Sequence, residues 1–286
     1  NILKYLDENF NKIIYYDQEI YFTNKYPNNP TFVFNHGYAI GYYFNRIMSY
    51  YLIKQAVARK YDIIVYHRPQ TFNTNSLNKF IQQYKKSLKY ILKKTNSKNK
   101  ELVLFGHSLG AMYNRALYKF TNLNIKLVVS LDGSDLGTLI FFYKLEHPNF
   151  RLDKWKKITF QNGYFQIGNR KYKYIQDTLN KLNIKDWLPS NFHKYYKYHK
   201  SDITLESNNM NKFIVKAGII TDKEIVVRYY KTKKELKNSK NEKDTYGDNP
   251  LKEICFVGNH SAHFNRIISS SIMKIVLSKL IYENSQ

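Results

Sequence analysis

The sequence is poor in several residue types, and each shortage excludes a class of protein. Its one cysteine, Cys255, cannot form an internal disulfide or build a cysteine zinc site, which favours a reducing compartment. No apolar run approaches the roughly 18 residues that a membrane-spanning helix needs. Residues 1–10 include Lys4, Asp7 and Glu8 and lack the apolar core of a signal peptide, so the cytoplasm is the expected location.

Acidic residues are also scarce: 22 Asp and Glu stand against 46 Lys and Arg, which gives a net charge of +24. A strongly basic chain can bind nucleic acid or an anionic membrane. Here the excess of lysine accompanies many Asn, Ile, Tyr and Phe and few Ala and Gly, a joint bias that is typical of an AT-rich coding genome. No nucleic-acid-binding motif accompanies the charge, so no nucleic-acid partner is expected.

The 286 residues, 43% of them apolar, suffice for one large domain or for a core with an insertion. The first forty residues predict strands, with a hairpin over 12–23. Strands and helices are then predicted in alternation at 31–34, 47–60, 61–66, 77–94, 101–105, 109–120 and 125–131. Such alternation favours an α/β fold, in which a mostly parallel sheet has helices on both faces.

The alternation stops in the segment 139–210, which is rich in Tyr, Lys and His. We interpret this segment as an inserted helical cap on a core formed by 1–138 and 211–286. The sheet is expected to resume over 212–220 and to end with a strand at 253–257. A last helix is predicted over 264–282.

The pentapeptide GHSLG at 106–110 is the sharpest motif, because an apolar strand precedes it and an amphipathic helix follows it. A nucleophile that projects from such a sharp turn has a strained backbone, and the residues two before and two after it crowd each other. Gly106 and Gly110 have no Cβ, which lets the turn close around Ser108. The start of the helix also presents free N–H groups to the site.

In this setting the sequence resembles the α/β-hydrolase superfamily, in its serine lipase and esterase branch. Three further segments match in order: FVFNHGY at 32–38, FIVKAGIITDKEIV at 213–226 and FVGNHSAHF at 256–264. The resemblance implies a carboxylic ester hydrolase that forms an acyl-serine intermediate and needs no cofactor or metal. Lipid or other hydrophobic acyl esters are the expected substrates. A thioesterase or amidase with the same residues, or a catalytically weak receptor on this scaffold, stays open as an alternative.

The resemblance also implies a role for individual residues. Ser108 would be the nucleophile and His260 the general base, with His263 as the weaker candidate for the base. The N–H groups of Tyr38 and Leu109 would bind the oxyanion. His36 is expected to be a structural histidine that hydrogen-bonds its own loop.

The carboxylate that orients His260 is less sharply defined. The resemblance favours Asp222, which follows the predicted strand at 212–220, although the gap from Gly218 is one residue longer than usual. Asp132, which follows the preceding strand, is the alternative, and Asp135 is a third candidate.

The cap would cover Ser108 and shape the choice of substrate. Its segment 191–200, NFHKYYKYHK, interleaves aromatic and basic residues and could make a peripheral contact with an anionic membrane. A solvated helix face with buried tyrosines is the other interpretation of this segment.

Overall fold

A computed structural model gives the fold of the chain. The structure describes residues 2–16, 18–37, 50–67, 77–97, 100–133, 138, 141–142, 145, 158–161, 164–167, 170–172, 196–199, 202–205, 220, 222–230, 232–234, 236–237, 252–258 and 265–283. Among these residues, no helix has both the length and the hydropathy that crossing a membrane requires.

Eight strands form the main sheet, in the order β1-β2-β4-β3-β5-β6-β12-β13. Their bounds are β1 Asn11–Tyr15, β2 Gln18–Phe22, β3 Thr31–Asn35, β4 Asp62–His67, β5 Leu102–His107, β6 Ile125–Leu131, β12 Glu224–Tyr230 and β13 Lys252–Val257. The six strands from β4 to β13 are parallel, while β2 is antiparallel to both β1 and β4. The predicted hairpin and the mostly parallel sheet are therefore confirmed.

Five helices accompany this sheet in the described part of the chain: α1 Ile2–Asn9, α2 Tyr50–Ala58, α3 Leu77–Lys94, α4 Leu109–Phe120 and α5 Arg266–Glu283. On one face of the sheet, α1, α2 and α5 share a core with alternate residues of the strands. On the other face, Tyr84 of α3 packs edge-on against Tyr66 of β4, and Phe80 of α3 stacks on Tyr113 of α4. The sheet thus has helices on both faces, as the alternation predicts.

One expectation about local structure needs correction, and a second falls on residues outside the described ranges. The chain starts with α1 rather than with a strand, because Ile2 and Leu6 lie one helical turn apart and are both buried in the core. The strand predicted over 212–220 lies outside the described residues apart from Ile220, which is a bend. The described strand that lies between β6 and β13 is β12, which begins at Glu224, four residues after the end of the predicted strand.

The described parts of the segment 139–210 are mainly short strands. Three of them, β7 Ile158–Gln161, β8 Tyr164–Ile167 and β9 Arg170–Tyr172, form one antiparallel sheet. Two more, β10 Tyr196–His199 and β11 Asp202–Leu205, form a hairpin. Where it is described, the predicted cap is therefore largely β-structure. β10 covers part of the aromatic and basic segment 191–200, for which a helix face was one interpretation.

Candidate active site

Ser108 occupies the turn between β5 and α4 and has a strained backbone. Its φ is 53° and its ψ is −112°, a combination that residues with side chains rarely adopt. Such a conformation costs about 1–3 kcal/mol and persists only where the surrounding structure enforces it. The residue is partly exposed at the carboxyl-terminal edge of the parallel strands.

Two glycines allow this turn to close. A Cβ on Gly106 would lie 2.5 Å from the backbone nitrogen of Ala111, and a Cβ on Gly110 would lie 2.4 Å from the carbonyl oxygen of Asn35. Any larger residue at either position would collide with backbone and push β3, β5 and α4 apart. The steric reason for the spacing of the pentapeptide is therefore confirmed.

The end of β3 runs directly against Ser108. A Cβ on Gly37 would lie 3.3 Å from the Cβ of Ser108, so this backbone passes beside the serine side chain. His36 is 2% exposed and its Nδ1 lies 2.7 Å from the carbonyl oxygen of Gly37, which confirms its expected structural role. Tyr38, the predicted oxyanion donor, lies outside the described residues. Leu109 begins α4, where the first N–H groups of a helix have no intrahelical acceptor.

Asp132 lies at the same edge of the sheet, in the turn that follows β6. Its φ is 51°, and its N–H donates to the carbonyl oxygen of Val227 over 2.8 Å. The turn is close to the serine: the N–H of Ser108 donates to the carbonyl oxygen of Leu131, and a Cβ on Gly133 would lie 3.7 Å from the carbonyl oxygen of Ser108. Burial and, after it, the negative charge of Asp132 raise the pKa of Tyr229 on β12. Asp132 therefore lies within electrostatic range of β12, the neighbour of β13.

Asp222 lies at the amino-terminal ends of the parallel strands and not at the carboxyl-terminal ends beside Ser108, where the triad acid is expected. It precedes β12 instead of following a strand, and the register pairs Glu224 with Val128 and His107 with Leu131. Measured along the strand direction, Asp222 is thus about six residues, or about 20 Å, from Ser108. It is exposed and accepts a long hydrogen bond of 3.4 Å from the hydroxyl of Tyr118.

The predicted base and its competitor, His260 and His263, lie outside the described residues. The neighbouring backbone is described: β13 ends at Val257, and the N–H of Gly258 donates to the carbonyl oxygen of Tyr230 over 2.9 Å. The segment that carries both histidines therefore leaves the sheet at the carboxyl-terminal edge, on which Ser108 and Asp132 also lie.

A row of ionisable side chains follows this edge on one face of the sheet. The register places Glu19, His67 and His107 at one level on β2, β4 and β5, His36 follows the end of β3 between the two other histidines, and the three histidines are buried. A hydrogen bond of 2.9 Å from Nδ1 of His67 lowers the pKa of Glu19. Within the described part of the chain, no group of three His, Cys, Asp or Glu side chains is arranged to hold a metal ion.

A buried polar network supports the end of β3, and sequence reasoning did not find it. The amide of Asn35 donates to the hydroxyl of Tyr84 on α3 and, over 2.8 Å, to Oδ1 of Asn114 on α4. The Tyr84 hydroxyl also donates to Asn114 over 2.9 Å, and all three residues are buried. The network fixes β3 against the helix that follows the serine. No local pattern in the sequence links these three residues.

A second missed feature is a fully buried ion pair behind the turn of Asp132. Arg115 on α4 donates to both carboxylate oxygens of Glu224 at 2.9–3.2 Å, and neither side chain is exposed. Its Nη1 also donates to the hydroxyl of Thr138 over 3.2 Å. A Cβ on Gly133 would lie 3.7 Å from the same Nη1. One guanidinium therefore joins the serine helix, the start of β12 and the segment after β6.

No protein-family model matches the sequence, and no curated protein matches it at a significant level. Solved structures match nearly the whole chain. Est1E from Butyrivibrio proteoclasticus with ferulic acid bound has a TM-score of 0.52 and 11% identity, over 95% of this chain and 99% of that one. The chain has the α/β-hydrolase fold.

Two further structures with the α/β-hydrolase fold are similar over the same extent. Another structure of Est1E has a TM-score of 0.50 and 13% identity, and the match covers 95% of this chain and 100% of that one. The thioesterase domain from the curacin biosynthetic pathway has a TM-score of 0.45 and 13% identity, over 94% of this chain and 98% of that one. At 11–13% identity the likeness to the two Est1E structures establishes the fold alone, so any activity has to be inferred from the residues of the site.

Proposed function

We propose that the protein is a serine hydrolase that cleaves a carboxylic ester through an acyl-Ser108 intermediate. The observation that carries this proposal is the strained backbone of Ser108, with φ of 53° and ψ of −112°, between β5 and α4. Two glycines and the end of β3 enforce this conformation. Strain of this size at a partly exposed serine is characteristic of functional sites, where it presents a side chain for chemistry.

The reaction would follow the serine hydrolase sequence. Ser108 Oγ attacks the acyl carbonyl carbon while His260 takes the hydroxyl proton. The N–H groups of Leu109 and Tyr38 bind the negative oxygen of the tetrahedral intermediate. The intermediate collapses, His260 gives its proton to the departing alcohol, and the acyl group stays on Ser108. His260 then activates a water molecule, which releases the carboxylic acid and restores the serine.

Asp132 is the carboxylate that we propose for orienting His260. It shares a sheet edge with Ser108, and its backbone is held by a hydrogen bond to Val227 in β12. It lies within electrostatic range of Tyr229 in that strand, which is the neighbour of β13 in the sheet. The chain order of serine, acid and histidine that this fold uses is kept with Asp132 in place of Asp222.

Lipid esters or other hydrophobic acyl esters are the proposed substrates, which rests on the lipase-like form of GHSLG and on the segment inserted after β6. A series of p-nitrophenyl esters of increasing acyl length tests this. We expect turnover to rise with chain length beyond acetate, whereas a maximum at acetate would contradict the hydrophobic acyl pocket. A thioester and an anilide with the best acyl chain then separate an esterase from a thioesterase or an amidase.

The choice of acid is tested by two isosteric substitutions. Asp132→Asn should lower kcat by about four orders of magnitude, because an amide cannot stabilise the imidazolium of the base. Asparagine tolerates the positive φ at this position, so the fold should persist. Asp222→Asn is the matched control and should change kcat by less than about twofold, since surface changes rarely matter. Loss of activity in the control instead would restore Asp222 as the acid.

A further inference from the structure

The two proposed oxyanion donors belong to different elements of the fold. The N–H of Leu109 opens α4, whereas Tyr38 comes three residues after the end of β3. Both donors must point at one oxygen atom, so the offset between β3 and α4 decides whether they can bind it together. A misplacement of about 1 Å at a reacting centre can cost a factor of about 100 in rate. A contact that fixes this offset therefore affects catalysis.

The close backbone contacts between β3 and α4 are steric. A Cβ on Gly110 would lie 2.4 Å from the carbonyl oxygen of Asn35 and 2.6 Å from that of His36. A Cβ on Gly37 would lie 3.3 Å from the Cβ of Ser108. Steric contact sets how closely two elements approach, whereas hydrogen bonds with defined directions also fix how far one element is shifted along the other.

A buried side-chain network supplies directional bonds between β3 and α4. It consists of Asn35, Tyr84 and Asn114 and is here called the asparagine network. Nδ2 of Asn35 donates to the hydroxyl of Tyr84 and, over 2.8 Å, to Oδ1 of Asn114. The hydroxyl of Tyr84 donates to the same Oδ1 over 2.9 Å, which closes a triangle, and none of the three residues is exposed. A buried network whose donors are paired holds its elements in one arrangement.

The asparagine network lies close to both proposed donors along the chain. Asn35 is the last residue of β3, three residues before Tyr38. Asn114 lies on α4, five residues after Leu109, which is about 7.5 Å along the helix. Tyr84 belongs to α3 and gives the link a third anchor. The network therefore joins the strand that leads to one donor to the helix that carries the other.

We propose that Asn35, Tyr84 and Asn114 are positioning residues for the oxyanion hole. This inference rests on the proposed function and adds residues that act through the donors instead of touching the substrate. Without the network, the N–H of Tyr38 would no longer be held at a fixed distance from that of Leu109. The tetrahedral intermediate would lose part of its stabilisation, while the uncharged ester would bind as before. The expected signature is therefore a lower kcat with an unchanged KM.

Two tyrosine substitutions form a matched pair that tests the proposal. Tyr84→Phe removes a hydroxyl of the network. Tyr66→Phe removes the hydroxyl of the neighbouring ring, whose centroid is 4.8 Å away; it is equally buried but shares a hydrogen bond of 2.6 Å with Ser87. Each variant loses one buried hydroxyl, so the two melting temperatures should agree within about 3 °C. With p-nitrophenyl esters, kcat should fall at least about fivefold in Tyr84→Phe and less than about twofold in Tyr66→Phe, while KM stays within about twofold of wild type in both.

Asn114→Ala removes the acceptor on α4 and with it the direct link to β3. It should lower kcat at least about 30-fold, and α4 should persist because alanine is the better helix former. A trifluoromethyl ketone with the best acyl chain forms an oxyanion when Ser108 adds to its carbonyl carbon. Its affinity for Asn114→Ala and for Tyr84→Phe should fall by about the same factor as kcat, because both quantities depend on the oxyanion donors.

The outcomes separate this role from the proposed function. Equal kcat values in Tyr84→Phe and Tyr66→Phe would overturn the positioning role, as would a loss that appears in KM alone. The comparison of these two tyrosine variants decides the question even where Asn114→Ala fails to fold. Wild-type protein that hydrolyses none of the esters would instead overturn the proposed function, and this assignment with it.

Discussion

Replacing Arg115 by methionine should destabilise the protein severely, and a second replacement should reverse most of that loss. Arg115 and Glu224 are both fully buried, and three short hydrogen bonds join them. Arg115→Met leaves the Glu224 carboxylate in the core without its counter-charge. Removing one partner of a buried pair in this way costs about 3–5 kcal/mol.

The double variant Arg115→Met with Glu224→Leu removes both charges and keeps similar side-chain volumes. Replacing a whole buried pair by apolar residues is commonly neutral or stabilising by about 1–4 kcal/mol. The hydroxyl of Thr138 loses its donor in both variants, at a cost of about 1 kcal/mol. We therefore expect the free energy of unfolding of the double variant to be within about 2 kcal/mol of the wild-type value. The double variant should be clearly more stable than Arg115→Met.

Equilibrium unfolding in urea, followed by circular dichroism, measures the free energy of unfolding of each variant relative to wild type. The single variant Glu224→Leu completes a double-mutant cycle. It should be destabilised as strongly as Arg115→Met, because it leaves the guanidinium unpaired. If either single variant lost less than about 1 kcal/mol in its free energy of unfolding, the pair could not be enclosed in the core as described. A double variant no more stable than the singles would refute the reasoning that the uncompensated charge is what destabilises them.

Three further predictions follow from single residues. Gly110→Ala should lower the melting temperature by at least about 5 °C, because its Cβ would lie 2.4 Å from the carbonyl oxygen of Asn35; an unchanged melting temperature would contradict the tight turn. Burial alone would raise the pKa of Asp62, but hydrogen bonds from Lys100 and nearby groups keep it below its usual value, so its contribution to stability is present above about pH 4 and is lost as the pH falls below it. Asp62→Asn should therefore be less stable at pH 7 and show a shallower decline in acid, and an equally steep decline would argue against this role. Partial burial raises the pKa of Cys255 to about 11, so its thiol should react with Ellman's reagent at pH 8 about a hundredfold more slowly than free cysteine, and a comparable rate would contradict the raised pKa.

The nucleophile turn and the central strands could be predicted because their signals are local. Apolar runs of three or four residues mark β3 to β6, and the G-x-S-x-G spacing reports a steric requirement within five residues. The geometry around Ser108 follows from these short-range rules. The general order of strands and helices follows from the same periodicities.

The position of Asp222 could not be predicted in this way, because it depends on which apolar run enters the sheet. The segments 212–220 and 224–230 are both rich in β-forming residues and lie only four residues apart. Taking the first as the strand puts Asp222 after it, at the edge of Ser108. In the structure the second segment pairs with β6, which reverses the end of the sheet at which Asp222 lies.

The pairs of buried polar residues near the site could not be predicted from the sequence either. Arg115 and Glu224 are 109 residues apart, and Asn35 and Asn114 are 79 apart. Each of these residues is ordinary in its local context, and only the packing of α4 against the sheet brings it to its partner. A single sequence carries no signal for such pairs.

Covalent labelling of the serine tests the central claim most directly. The folded protein is treated with a fluorophosphonate, which modifies serines that an adjacent base activates, and the modified peptide is mapped by mass spectrometry. We predict a single modified residue, Ser108, with labelling abolished in Ser108→Ala and strongly reduced in His260→Ala. A folded protein that is not labelled, or labelling at a different serine, would contradict the proposal that Ser108 is an activated nucleophile.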